Sequence, residues 1–176
     1  NVFIGFDNTI PVTLEQMIYH TKAVSRGCQR SLVVADMPFM SYEISAEKAK
    51  ENAAKLIKEG GAQAVKIEVN PDQVDTVAEI IRMGIPVMAH IGFTPQSVYA
   101  LGGYRVQGRG GKAESQLISL AKQLESVGCF SIVLEMVPQL LAKKMTQKLT
   151  IPTIGVGAGP HCDGQVLVSN DMLGMY

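Results

Sequence analysis

The sequence has no surplus charge: its 176 residues hold 16 Lys and Arg against 16 Asp and Glu, and no basic block or stripe breaks the balance. A nucleic-acid partner, which needs a concentrated positive surface, is therefore not expected. Cysteine is scarce. Cys28, Cys129 and Cys162 are odd in number, lack metal-ligand spacing and cannot form a disulfide framework, so a reducing, cytoplasmic compartment is expected. Cys129 sits in an apolar run and reads as a small core residue. No apolar run approaches the roughly 18 to 20 residues needed to span a bilayer, and the N-terminus lacks a charged-then-apolar signal pattern. A soluble protein with no membrane partner is the expectation. Internal repeats, low-complexity tracts and interdomain linkers are also missing.

What is present is apolar residue in quantity, 47% of the chain, enough to bury one sizeable core. Short runs rich in β-branched residues recur at Asn1 to Gly5, Ser31 to Met37, Ala64 to Glu68, Ile85 to Ile91, Ser131 to Val137, Ile151 to Gly157 and Gln165 to Ser169. They are apolar on both faces, as strands covered on both sides must be, which is the pattern of a parallel sheet. Between them, Leu14 to Ser25, Ala46 to Glu59, Gln73 to Met83, Glu114 to Ser126 and Gln139 to Lys148 show helical periodicity and supply crossovers. Thr13 with Gln16 forms a capping-box pattern, and Gly60-Gly61 and Gly84 stand where helices stop. The alternation predicts α/β architecture, either an eight-stranded (β/α)8 TIM barrel or a doubly wound sheet. A whole barrel takes roughly 250 residues, so a barrel would be incomplete here. The segment from Gly92 to Gly111 is a long aperiodic loop, which marks it for function.

In both architectures chemistry collects at the carboxyl ends of the strands. There Val33-Val34-Ala35 leads to Asp36, Ala64-Val65 to Lys66 and Glu68, Val87-Met88-Ala89 to His90, and Val133-Leu134 to Glu135. Each alone has an ordinary explanation: a turn cap, a structural ion pair, a hydrogen-bonded core histidine. Together, ionisable groups inside apolar strands must satisfy one another, a metal or a ligand, because an unpartnered buried charge costs several kcal/mol. One shared active site is expected. Lys66 and Glu68, two apart on a strand, share a face. Carboxylates without thiolates suit a hard cation such as Mg²⁺, although His90 leaves zinc or cobalt open. A metal of this kind can polarise a keto acid and stabilise its enolate, with Glu135 or His90 as base. Gly155-Val156-Gly157-Ala158-Gly159 lacks dinucleotide-fingerprint spacing and reads as a tight loop. Arg109 is either an anion grip or a solvated loop residue; Tyr99 and Tyr104 either stack on a flat ligand or pack the loop; His20 and His161 stay unassigned.

The segments Leu32-Val33-Val34-Ala35-Asp36-Met37-Pro38-Phe39-Met40, Val65-Lys66-Ile67-Glu68, Ala89-His90-Ile91-Gly92-Phe93-Thr94-Pro95-Gln96-Ser97, Gly102-Gly103-Tyr104-Arg105-Val106-Gln107-Gly108-Arg109, Leu134-Glu135-Met136-Val137-Pro138 and Ile154-Gly155-Val156-Gly157-Ala158-Gly159 resemble, in order, the ketopantoate hydroxymethyltransferase family. The resemblance implies a (β/α)8 barrel of the phosphoenolpyruvate/pyruvate type, with residues 1–176 as one catalytic domain whose strands are the second to eighth. The first strand and C-terminal helices would be lacking. It implies transfer of a hydroxymethyl group from 5,10-methylenetetrahydrofolate to α-ketoisovalerate, giving ketopantoate for pantothenate and coenzyme A synthesis. By the same resemblance Asp36 binds Mg²⁺ and substrate, Glu68 reaches the metal, Lys66 and His90 bind the keto acid, and Glu135 is the general base; the protein is a homo-oligomer, a decamer among the candidates. One departure stands out. The family carries an Asp-Ser-Leu-Gly-Met segment, its Asp a metal ligand, where here Gly5 runs into Phe6-Asp7, so a segment is expected to be omitted between Gly5 and Phe6. A related metal-dependent keto-acid lyase, or an inactive barrel kept as a binding protein, are the alternatives.

Overall fold

A computed structural model of the chain describes residues 4–175. Strands β1 (Val34–Asp36), β2 (Ala64–Glu68), β3 (Val87–Gly92), β4 (Ser131–Glu135), β5 (Thr153–Val156) and β6 (Gly164–Gln165) pair side by side in chain order, every pair parallel. Around them run α1 (Leu14–Gly27), α2 (Ala46–Lys58), α3 (Val74–Arg82), α4 (Gly111–Ser126), α5 (Gln139–Lys148) and the short α6 (Ser169–Met172). A doubly wound sheet reverses its strand order at a switch point; strictly sequential order with right-handed crossovers sends each helix to the same face. The sheet is therefore a six-stranded sector of a (β/α)8 barrel wall, and the doubly wound alternative falls away.

Helix starts follow local chemistry. Thr13 Oγ1 accepts from Gln16 N at 3.2 Å while Gln16 Oε1 accepts from Thr13 N at 2.9 Å, the expected capping box opening α1. Ser45 caps α2 by accepting from Lys48 N. Each strand then divides its residues between two faces. Ala35, Val65, Ile67, Val87, Ala89, Ile91, Ile132 and Leu134 are buried and join Leu56, Val77, Ile80, Leu124 and Leu141 of the helices in one core. The core thus lies between sheet and helices, leaving the opposite face of the strands to line a cavity.

Two expectations change. Of the strand expected at Asn1 to Gly5, residues 1–3 lie outside the described residues, and Ile4 and Gly5 are in turn-like backbone, with Gly5 at φ 79°. The strand expected at Gln165 to Ser169 is only Gly164–Gln165, since Ser169 opens α6. Val166, Leu167 and Val168, apolar enough to suggest a strand, are about half exposed or more and extend no ladder. The link from β5 to β6 is a loop turned by Gly157 (φ 58°) and Gly159 (φ 79°) and contains no helix. The tight-loop reading of this glycine segment holds.

Candidate active site

The sheet brings the strand-end residues together through its register. Asp36 on β1 is paired with Lys66 on β2. Barrel strands tilt, so the group level with Lys66 on β3 is His90, two residues beyond Lys66's register partner Met88. Glu135 is likewise two beyond Val133, the partner of His90 on β4. The result is a row across four strands. Lys66 Nζ lies 2.8 Å from Asp36 Oδ1 and 3.2 Å from His90 Nδ1, and His90 Nε2 lies 3.1 Å from Glu135 Oε2. Asp36, Lys66, Glu68, His90 and Glu135 all line one cavity of about 570 Å³, whose remaining walls include Val34, Met88, Val133, Ile154 and Val156. Its size is that of a small-molecule pocket.

The contacts fix proton positions. An ammonium group only donates, so Lys66 makes Nδ1 of His90 the acceptor, and the imidazole proton sits on Nε2, facing Glu135. Burial and the nearby Lys66 cation hold His90 below its ordinary pKa despite Glu135, so the ring is neutral. Burial alone would lower Lys66, but the carboxylates of Asp36, Glu68 and Glu135 outweigh it and hold the ammonium above its ordinary value. Glu68 is only 5% exposed; burial, with help from Asp36 and Glu135, pushes its pKa up to about 8 against the opposing pull of Lys66 and the Gln96 N–H. Three carboxyl groups, that of Glu68 keeping its proton up to about pH 8, thus share the cavity with one cation and a neutral imidazole.

Two atoms keep unspent bonding capacity. Asp36 Oδ1 and His90 Nε2 are close to Lys66 and Glu135 but out of line for hydrogen bonds, and both are buried without a hydrogen-bond partner. Among the described residues no three His, Cys, Asp or Glu side chains converge into an all-protein metal cage. Asp36 and Glu68 nevertheless offer oxygen donors from adjacent strands, the partial set that a hard cation retaining its waters accepts. Both ring nitrogens of His90 face protein groups, so His90 is not presented as a metal ligand.

The backbone is shaped for this geometry. Gly92 has φ 99°, and a Cβ there would lie 2.3 Å from Glu135 O and 2.8 Å from Val137 Cγ1; Phe93 N donates to Glu135 O at 2.8 Å. Only glycine lets β3 end so close to Glu135. Met136, next in chain, takes φ 46°, a left-handed conformation that a side chain adopts at a cost. It is held by Met136 N donating to Val156 O and Gln107 N donating to Met136 O.

Other expected residues stand apart. Arg109 is exposed and makes no ion pair among the described residues, as a solvated loop residue would. Tyr104 is exposed and packs against Phe93, with ring centres 4.9 Å apart; Tyr99 is exposed, its hydroxyl accepting from Asn8 Nδ2 at 3.2 Å. His161 is exposed, and His20 is half-buried with an edge-on ring contact to Tyr19. The cysteines are free, and Cys129 is a core residue whose thiol burial pushes up to about 12. Sequence reasoning gave no role to Gln96 or Tyr42. Gln96 is buried, its backbone N–H donates to Glu68 Oε2 at 2.9 Å, its Nε2 donates to Met37 O at 2.8 Å, and its Oε1 accepts from Tyr42 OH at 2.9 Å. The only signal for it in the sequence is a polar residue inside the long loop after β3.

The fold resembles that of a putative phosphonomutase from Burkholderia cenocepacia (TM-score 0.71, 15% identity, covering 99% of this chain and 77% of that one). It also resembles phosphoenolpyruvate phosphomutase from Streptomyces platensis subsp. rosaceus (TM-score 0.70, 13% identity, 99% and 67%). At these identities the likeness concerns fold alone. In sequence the chain is 55% identical over 174 residues to 3-methyl-2-oxobutanoate hydroxymethyltransferase of Geobacter metallireducens, covering 99% of this chain and 65% of that protein. It is 57% identical over 175 residues to the protein of the same name in Carboxydothermus hydrogenoformans, covering 99% and 63%. The chain thus spans just under two thirds of the length of these relatives. The family model described as ketopantoate hydroxymethyltransferase matches residues 1–176, and by that match the chain belongs to the ketopantoate hydroxymethyltransferase family.

Proposed function

We propose that the protein carrying this chain transfers a hydroxymethyl group from 5,10-methylenetetrahydrofolate to α-ketoisovalerate, giving ketopantoate for pantothenate and coenzyme A synthesis. The observation that supports this most is the row from Asp36 through Lys66 and His90 to Glu135, joined by contacts of 2.8, 3.2 and 3.1 Å and lining a cavity that Val34, Met88, Val133, Ile154 and Val156 also line. The keto acid enters with its polar end at Lys66, Asp36 and His90 and its branched hydrocarbon against Val133, Ile154 and Val156. Glu135, the general base, takes the proton from C3. The Lys66 ammonium faces the negative charge that moves onto the substrate oxygen, and the neutral imidazole of His90 lies beside the base, its Nε2 3.1 Å from Glu135 Oε2. The methylene carbon bonds to C3 and to a water oxygen while both of its carbon–nitrogen bonds to the folate break, and the proton taken from C3 and one from the water end on the two folate nitrogens, leaving tetrahydrofolate. A divalent cation, Mg²⁺ in this reading, is held by Asp36 and Glu68 and when bound polarises the keto oxygen.

In the same proposal the protein is a cytoplasmic, single-domain catalytic barrel working as a homo-oligomer, with the family's Asp-Ser-Leu-Gly-Met segment between Gly5 and Phe6 in the working protein. No helix among the described residues is long and apolar enough to cross a membrane. A peptide map in which Gly5 is followed directly by Phe6 contradicts the inserted segment. For the activity, the full-length protein with α-ketoisovalerate, 5,10-methylenetetrahydrofolate and Mg²⁺ is expected to yield ketopantoate and tetrahydrofolate in equal amounts. Folded protein that yields neither contradicts the assignment.

A further inference from the structure

Asp36 and Glu68 project from different strands, and the tie between them is Gln96. Its side-chain Nε2 donates to Met37 O, the first carbonyl after Asp36, at 2.8 Å, while its backbone N–H donates to Glu68 Oε2 at 2.9 Å. A single residue therefore grips the Met37–Pro38 peptide, one residue past Asp36, and the carboxyl group of Glu68. The grip is fixed from behind, because the buried Tyr42 hydroxyl donates to Gln96 Oε1 at 2.9 Å. Gln96 lies in a short 3-10 turn, Pro95–Ser97, tightened by Ser97 N donating to Thr94 O. Every polar atom of the Gln96 side chain that meets the site is thus committed to holding neighbours, none to the cavity's contents. A buried amide with no packing advantage over an apolar residue is costly unless its hydrogen bonds are made.

We propose that Gln96, locked by Tyr42, is a positioning residue that sets the spacing of Asp36 and Glu68 and thereby the affinity of that pair for a divalent cation. The proposal rests on the reading of Asp36 and Glu68 as the cation site. Partners one shell out from a metal orient its ligands, and their loss typically weakens binding about tenfold to a hundredfold. Gln96→Met keeps the chain length of the side chain but removes both side-chain bonds; Tyr42→Phe removes only the lock and leaves Gln96 its bond to Met37.

The test is binding of Mn²⁺ alone to the full-length protein, read by the loss of its free-ion electron paramagnetic resonance signal, with thermal unfolding measured in parallel. Ile80→Val, in the helix layer far from the cavity, is the comparison for general loss of packing. The expected result is an affinity at least about tenfold weaker in Gln96→Met, a smaller loss in the same direction in Tyr42→Phe, and the wild-type value in Ile80→Val. Wild-type affinity in both Gln96→Met and Tyr42→Phe overturns the proposal. So does an equal loss in Ile80→Val, which would make the effect one of stability alone. A wild-type protein that binds no Mn²⁺ overturns the proposal together with the cation reading beneath it.

Discussion

Glu68 holds its proton to about pH 8, against an ordinary carboxylate value of 4.5, and His90 is held below 6.5. A raised acid binds more protons folded than unfolded, so the Glu68 contribution to stability is present below pH 4.5 and is lost as pH rises through about 8. The depressed His90 acts oppositely, but only below 6.5, where the unfolded ring would take a proton. Between about pH 6.5 and 8 Glu68 alone is in play of these two, and thermal stability is expected to fall across that interval. Glu68→Gln should flatten the fall; a wild-type Tm that rises from pH 6.5 to 8 contradicts the assignment. Lys66 is the one cation beside the carboxyl groups of Asp36, Glu68 and Glu135, so Lys66→Met removes their compensating charge and should cost about 3 kcal/mol in urea unfolding. Asp36, Lys66, Glu68, His90 and Glu135 were legible in the sequence because an ionisable residue ending an apolar strand is conspicuous. Gln96 and Tyr42 were not, because nothing local marks a glutamine whose partners lie on the loop after β1 and at the end of β2.

The elements obeyed local rules where those rules were complete. The sequence reading of β2 and α5 matches their bounds residue for residue, since each has a full apolar period and neighbours on both sides. β1 is trimmed from Ser31 to Met37 down to Val34–Asp36: Val33 is bonded to Gln63, outside the ladder pairs of β1 and β2. The strand expected through Ser169 stops early: Val166 N still donates to Gly155 O, but Leu167 and Val168 join no ladder pair, and propensity without a paired neighbour makes no strand. The end of β3 is the element on which the site depends most. Gly92→Ala places a Cβ against Glu135 O and forces a left-handed alanine, so it should cost about 3 kcal/mol and displace Glu135, with activity falling further than stability explains. Wild-type activity in Gly92→Ala would show that Glu135 tolerates the shift. At the other end of the scale, Thr13→Ala removes the capping box of α1 and should cost about 1 kcal/mol while leaving activity intact, as measured by urea unfolding and ketopantoate formation.

Across the whole molecule, one sheet does two jobs on its two faces. The face toward the helices is filled with Val65, Ile67, Val87, Ile91, Ile132 and Leu134; the other face bears Asp36, Lys66, Glu68, His90 and Glu135 at its carboxyl edge. Sequential parallel pairing makes this possible, because tilt carries each successive side chain to the same height and closes the row from Asp36 to Glu135. The central claim is that this row removes the C3 proton of a branched keto acid with Glu135 as base. The measurement that tests it most directly is exchange of the C3 proton of α-ketoisovalerate in deuterium oxide with Mg²⁺, followed by proton resonance with and without folate, in the full-length protein and its Glu135→Gln variant. The wild-type protein is expected to exchange the proton even without the folate, and Glu135→Gln to slow exchange by at least about 100-fold while remaining folded. Exchange that proceeds at the wild-type rate in Glu135→Gln would contradict the account.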